Sequence, residues 1–89
     1  MKVLSLDTST TTTGYAVYTD GNLSHYSSID KADIKDTAAR LSEMVAGIFR
    51  LIEAEKPDAV AIEETVVPRN PQTQRMLTMI LGAVYGKCL

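Results

Sequence analysis

The segments VLSLD (residues 3–7) and AVAIE (residues 59–63) decide the fold of this chain. Each has the pattern of a short buried strand, and their last residues are the acids Asp7 and Glu63. A carboxylate at the point where a buried strand meets a loop is costly to desolvate and contributes little to packing. The pair therefore predicts a site that holds a cation.

Between these segments the sequence first predicts an antiparallel meander of three strands. A Ser/Thr-rich loop over residues 8–13 precedes a second strand over residues 14–19, which is rich in aromatic and β-branched residues. The sequence Asp20-Gly21-Asn22 is typical of a hairpin turn, because glycine adopts positive φ freely and Asp and Asn tolerate it. The third strand then returns over residues 23–29.

A long amphipathic helix is predicted next, from about residue 36 to residue 55. Asp33 or Asp36 is expected to cap it, and Lys56-Pro57 ends it because the residue before proline is pushed out of helical geometry. Its apolar positions follow three- and four-residue spacing: Leu41, Met44, Val45, Ile48, Leu51 and Ile52. Residues 58–63 follow as a strand that is apolar on both faces, which is typical of a central strand covered on both sides. A helix leading into such a strand predicts a parallel crossover.

The last predicted helix, residues 72–88, carries apolar side chains on nearly every side. A helix of this kind has to be covered. Either the remainder of the domain or a partner subunit is expected to cover it.

Composition restricts the class of protein but leaves its partner open. At 89 residues the chain is one small domain at most, and no apolar stretch reaches the roughly 18 residues of a membrane span. The amino end lacks a signal-peptide pattern, so a cytoplasmic location is expected.

The single cysteine, Cys88, excludes an intrachain disulfide and a Cys-based zinc site. The net charge of −2 is unlike that of most nucleic-acid binders, although bound cations would cancel Asp7, Glu63 and Glu64 locally.

The order of elements, with acids ending the first and fourth strands, resembles the RNase H-like fold. This fold is α/β: a three-stranded antiparallel meander, a helix, a parallel fourth strand and a further helix, here truncated before the fifth strand and the last helix. Three more stretches are specific: TGYAV (13–17), PDAVAIEE (57–64), and Arg69-Asn70 entering a helix that contains Gly82. With them the chain is similar to the RuvC family of Holliday junction resolvases. The resemblance covers about the first half of the family's domain, so residues 1–89 are expected to form a single incomplete RuvC-like domain.

The resemblance implies a metal-dependent, structure-selective endodeoxyribonuclease that hydrolyses phosphodiesters of branched DNA such as the Holliday junction. The family's first catalytic aspartate falls on Asp7 and its strand-four glutamate on Glu63. Both are expected to bind Mg²⁺, or Mn²⁺ in its place, with Glu64 as a further ligand or a competitor of Glu63, because such cations take oxygen ligands. A homodimer through the helix over residues 72–88 is expected, and no membrane. The expected substrate contacts are Thr8, Ser9, Arg69, Asn70 and Arg75.

The chain departs from the family's pattern in one place that bears on mechanism. Cellular resolvases carry an aromatic residue shortly after the glutamate, which wedges into the junction, whereas residues 65–68 here are TVVP. An aromatic wedge is therefore not predicted. The family's remaining acids lie in the final helix, so no residue of this chain corresponds to them.

Two other functions stay open on the sequence alone. One is a nucleotide-binding protein of the actin, sugar-kinase and tRNA-modification type, whose members open similarly with Asp-Thr-Ser-Thr but need a longer chain and a second phosphate-binding segment. The other is a non-catalytic RNase H-like dimerisation module. Among residues with more than one interpretation, His25 is expected to be structural, and packing roles are expected for Tyr15, Tyr18, Tyr26 and Tyr85.

Overall fold

The structure, a computed structural model, describes residues 1–63 and 71–88, with side chains from residue 78 onward in the second range. Its elements are β1 (Lys2–Asp7), β2 (Thr12–Thr19), β3 (Asn22–Asp30), α1 (Thr37–Glu55), β4 (Ala59–Ile62) and α2 (Pro71–Cys88). The strands form one sheet in the order β3-β2-β1-β4. β1 is antiparallel to β2 and parallel to β4, which confirms the predicted meander and crossover.

The hairpin between β2 and β3 forms at the predicted turn, where Asp20 and Gly21 both have positive φ, 52° and 83°. β2 begins earlier than predicted, because Thr12 and Thr13 pair with Asp30 and Ile29 at the end of β3. The loop after β1 is therefore shorter than the Ser/Thr run in the sequence.

Local signals define both ends of α1. The Asp36 carboxylate accepts a hydrogen bond from the Ala39 N–H at 3.0 Å, so Asp36 rather than Asp33 is the cap. At the other end Lys56 adopts the left-handed conformation with φ of 47°, and its N–H donates to the Ile52 carbonyl at 2.9 Å. Pro57 then prevents continuation of the helix.

The core lies on one face of the sheet, and both described helices pack on that face. Its fully buried members are Leu4, Leu6, Val17, Met44, Ile48, Ile80 and Val84. Close approach of α1 to β3 depends on Gly47, since a Cβ there would lie 3.1 Å from Cγ2 of Ile29. None of the described helices is long and apolar enough to cross a membrane.

The position of β4 differs from the prediction of a central strand covered on both faces. Among the described residues β4 pairs with β1 alone and forms an edge of the sheet. Val60 and Ile62 pack against the core, whereas Ala61 is exposed. The physical reason is that the second face of β4 carries only alanines, and no described element covers or extends it.

Within the described part of the chain, apolar side chains of α2 are buried on one side of the helix and exposed on the other. Ile80 and Val84 are fully buried in the core, while Met79 is 59% exposed and Tyr85 is 68% exposed. The prediction that further structure covers this helix stays a prediction.

Candidate active site

The backbone brings Asp7 and Glu63 to neighbouring strand ends. Leu6 is paired with Ile62 across the parallel strands β1 and β4. The Glu63 N–H then donates to the Leu6 carbonyl at 2.9 Å, which extends the ladder to Glu63, while Asp7 is the residue after Leu6 on β1. Adjacent strands lie about 4.8 Å apart, so the two acids lie side by side at one edge of the sheet.

Both acids lie on the face opposite the core. Leu6 and Ile62 belong to the core face, and alternation along a strand turns the following residue to the other face. Asp7 and Glu63 are accordingly exposed. Gly14 is paired with Asp7, and a Cβ built on Gly14 would lie 4.0 Å from the Asp7 Cβ, so these two residues share that face.

A shallow cavity of about 200 Å³ adjoins Asp7. Its lining consists of Ser5, Asp7, Gly14, Tyr15 and Ala16. Small residues form its floor, so the Asp7 carboxylate has open space on the exposed face of the sheet. A ligand can approach the acid from this side.

The donor set fits a hard cation. Two ionised carboxylates side by side repel each other, and a divalent cation between them removes the repulsion. Mg²⁺ is commonly bound by one or two carboxylates and completes its coordination with waters and substrate phosphate. Among residues 1–63 and the described side chains of α2, no group of three or more His, Cys, Asp or Glu residues could hold a metal. Asp7 and Glu63 thus offer a two-carboxylate site.

The loop after Asp7 is an ordered turn rather than a free polar segment. Thr8 is buried, with 2% of its surface exposed. The Ser9 hydroxyl accepts hydrogen bonds from the N–H groups of Thr11 (3.3 Å) and Thr12 (2.9 Å) and donates to the Thr12 carbonyl. Ser9 therefore makes a turn of the kind that Ser and Thr side chains often stabilise.

Arg40 holds the loop after Asp7, and the sequence does not predict this contact. This half-buried residue in the first turns of α1 donates from Nε to the Thr10 carbonyl at 3.0 Å and from Nη1 to the Ile34 carbonyl at 3.1 Å. The sequence gives no local signal for this role, because the carbonyls it binds lie 30 and 6 residues away. Only the tertiary structure brings them together.

Several predicted site residues lie outside the described part of the chain. This is the case for Glu64, Arg69 and Asn70, and for the TVVP segment over residues 65–68. Arg75 belongs to α2, but its side chain also lies outside the described residues. Their roles stay predictions.

His25 lies away from the acids and contacts the core face. It is paired with Val17, and its Nε2 lies 3.1 Å from the Glu55 carboxylate, which also binds Lys2 at 3.4 Å. Its ring meets that of Tyr15 edge-on at 6.5 Å between centroids. These contacts agree with the predicted structural role.

The prediction of packing roles holds for Tyr15 but not for every tyrosine. Tyr15 packs against the core, whereas Tyr26 is 75% exposed and Tyr85 is 68% exposed. Tyr26 lies on a strand whose residues 22–28 are all exposed, so β3 offers little to bury it. Cys88 is likewise exposed.

The family model described as crossover junction endodeoxyribonuclease RuvC matches residues 3–89. The chain belongs to the RuvC family. This membership confirms the resemblance found in the sequence motifs around Asp7 and Glu63.

Two curated RuvC proteins illustrate the relationship. The chain is 32% identical to RuvC of Polynucleobacter necessarius, over 97% of this chain and 52% of that protein. It is 38% identical to RuvC of Geotalea uraniireducens, over 93% of this chain and 51% of that protein. The chain therefore spans about half the length of these RuvC proteins.

A solved structure supports the same fold. The structure of Thermus thermophilus RuvC in complex with a Holliday junction substrate matches 98% of this chain and 58% of its own, with a TM-score of 0.78 and 23% sequence identity. The predicted fold class, an RNase H-like α/β fold truncated before its last elements, is confirmed.

Proposed function

We propose that the protein containing this chain is a metal-dependent, structure-selective endonuclease that hydrolyses phosphodiesters of branched DNA, with the Holliday junction as its substrate. The observation that carries this proposal is the position of Asp7 and Glu63 directly after the paired residues Leu6 and Ile62 of β1 and β4, in a chain that belongs to the RuvC family. The likeness to a RuvC bound to a Holliday junction supports the choice of substrate.

In this proposal Asp7 and Glu63 are catalytic residues that act as metal ligands, with Glu64 as a further ligand. Mg²⁺, or Mn²⁺ in its place, would polarise the scissile phosphodiester and lower the pKa of an attacking water. The exposed carboxylates hold the cation at the sheet edge, and the small residues beside Asp7 leave room for a phosphate. Thr8, Ser9, Arg69, Asn70 and Arg75 are the proposed substrate contacts.

The proposal extends to the assembly and the chain's organisation. Residues 1–89 would form the first part of one RuvC-like domain, in a cytoplasmic protein that works as a homodimer through residues 72–88. The exposed Met79 and Tyr85 on α2 favour such an interface, because exposed apolar patches are frequent at subunit contacts. Two copies related by a twofold axis would suit a substrate that must be cut symmetrically.

The nuclease site is tested by Asp7→Asn and Glu63→Gln in the protein expressed from its complete open reading frame. Each change removes one negative ligand while keeping nearly the same shape. We expect the rate of Mg²⁺-dependent cleavage of a synthetic four-way junction to fall at least about a thousandfold, because a catalytic metal contributes several kcal/mol to transition-state stabilisation.

Two neutralising changes away from the site serve as matched controls. Asp20→Asn lies in the β2–β3 turn at the opposite end of the sheet, and Glu43→Gln is exposed on α1. Both are expected to cleave at the wild-type rate. Full cleavage in Asp7→Asn and in Glu63→Gln would contradict the proposal. Tight ATP binding by calorimetry without DNA cleavage would instead favour the nucleotide-binding alternative.

A further inference from the structure

The side chain of Arg40 attaches the loop that follows Asp7 to α1. Arg40 donates from Nε to the Thr10 carbonyl at 3.0 Å and from Nη1 to the Ile34 carbonyl at 3.1 Å. A guanidinium group is planar and presents its donors in a rigid fork, so it can hold two acceptors at fixed positions. Arg40 thus joins the loop after β1 to the connection between β3 and α1.

The sheet and the loop hold the backbone on the two sides of Asp7. On its amino-terminal side the sheet fixes the backbone, through pairing of β1 with Gly14 and with β4. On its carboxyl-terminal side the chain leaves the ladder, and Thr10 is only three residues away. The Ser9 hydroxyl bonds Thr11 within the loop and also the N–H and carbonyl of Thr12, so it attaches the loop to the first residue of β2.

Apart from the Ser9 bonds to the start of β2, two described hydrogen bonds attach the loop to elements farther along the chain. One is the Lys31 N–H donating to the Thr11 carbonyl at 2.8 Å, between backbone groups at the end of β3. The other is the Arg40 contact with Thr10, which is the one made by a side chain and therefore the one that substitution can remove. Both converge on the segment that carries Thr8 and Ser9, the proposed substrate contacts.

We infer that Arg40 is a positioning residue for the Asp7 carboxylate: by holding Thr10 against α1 it fixes the direction in which the chain leaves β1. Arg40 contacts carbonyl oxygens of the protein rather than the reacting atoms. This role rests on the proposed nuclease function. Because two carboxylates have to meet one cation, a small displacement of Asp7 weakens metal binding before it changes the chemistry.

The test compares Arg40→Ala and Arg40→Lys in the protein expressed from its complete open reading frame. We expect the Mg²⁺ concentration for half-maximal junction cleavage to rise about tenfold in Arg40→Ala, as for other groups that orient metal ligands. At saturating Mg²⁺ the rate should return to within a few-fold of wild type. For Arg40→Lys the Mg²⁺ concentration for half-maximal cleavage should lie between the values for wild type and Arg40→Ala. An ammonium group keeps the positive charge but lacks the planar arrangement of donors that contacts two carbonyls.

Two variants on the same helix separate positioning from general loss of stability. Arg50→Ala removes an exposed guanidinium, and Ile48→Val weakens the core beneath α1 without touching the loop. Both should keep the wild-type Mg²⁺ dependence. Unchanged Mg²⁺ dependence in Arg40→Ala, or an equal shift in Ile48→Val, would overturn the inference.

Amide hydrogen exchange distinguishes failure of this inference from failure of the nuclease proposal. In Arg40→Ala the Lys31 and Thr12 amides, whose acceptors lie in the loop, should exchange at least about tenfold faster than in Arg50→Ala. Unchanged exchange would mean that Arg40 does not hold the loop. Faster exchange together with cleavage that survives Asp7→Asn and Glu63→Gln would instead reject the nuclease function, and with it the positioning role.

Discussion

At the scale of single residues, the open space beside Asp7 depends on Gly14. The two residues are paired across β1 and β2, and Gly14 borders the cavity of about 200 Å³. The backbone of Gly14 is not left-handed, since Gly21 is the glycine with positive φ among the described residues. A side chain at position 14 is therefore not excluded by backbone strain. What a larger residue would change is the access to the carboxylate.

Substitution of Gly14 should therefore separate folding from access to the site. In Gly14→Ala the new Cβ would lie 4.0 Å from the Asp7 Cβ, an ordinary contact, so junction cleavage and thermal stability should stay near wild type. Gly14→Val suits a strand but fills the space beside Asp7, and we expect cleavage to fall at least about tenfold with little loss of stability. Thermal unfolding and cleavage rates at several Mg²⁺ concentrations check both. A valine variant as active as wild type would show that ligands do not approach from this face.

At the scale of secondary structure, most elements follow from local signals, and the exceptions follow from tertiary contacts. Asp36, Lys56 and Pro57 determine the ends of α1 locally, so the sequence predicts them. The start of β2 could not be predicted, because it depends on pairing with the end of β3. Asp7 and Glu63 were predictable because a strand end is visible in sequence, whereas Arg40 binds carbonyls brought near only by folding.

The contact between α1 and α2 includes an ion pair whose contribution to the stability of the fold is expected to disappear at low pH. Lys87 donates to the Glu53 carboxylate at 2.6 Å, and its Nζ lies 5.6 Å from the centre of the Phe49 ring. The hydrogen bond and the charge of Lys87 lower the pKa of Glu53 below its ordinary value of 4.5. Because the folded-state pKa is the lower one, the pair stabilises the fold fully above pH 4.5, and this contribution disappears as the pH falls through the folded-state pKa.

Urea unfolding of Glu53→Gln across this pH range checks the expected sign. The variant should be slightly less stable than wild type at neutral pH, and the difference should shrink on acidification below about pH 4.5. Added salt should reduce the difference at neutral pH, because the pair is exposed. Glu43→Gln, exposed on the same helix, should show no such trend. A difference that grows on acidification would contradict the assigned pKa direction.

At the scale of the whole molecule, the described structure is one layer of helices on one face of a sheet. α1 and α2 share the core face, while Asp7, Gly14 and the exposed Ala61 lie on the other. The chain spans about half the length of its RuvC relatives. The fold and the two acids at neighbouring strand ends could therefore be predicted from these residues, whereas Glu64, the proposed further ligand, lies outside the described residues.

The homodimer proposed for the whole protein makes a prediction about the exposed side of α2. Met79 is 59% exposed, and Gly82 has open space around the position of a Cβ, so this side of the helix is apolar and closely approachable. Placing a charge in an apolar interface is costly, because the charge has to be desolvated without a partner. We expect Met79→Arg to raise the dimer dissociation constant at least about tenfold, by analytical ultracentrifugation of the complete protein.

Leu23→Arg is the matched control for this surface. Leu23 is 52% exposed on β3, a comparable apolar residue on the far edge of the sheet from β4. If α2 forms the interface, the Leu23 variant should dimerise like wild type while the Met79 variant dissociates. Dissociation in Leu23→Arg with an intact dimer in Met79→Arg would place the interface at the β3 edge instead. Because each arginine adds the same charge, a difference between the two variants reflects position rather than general repulsion.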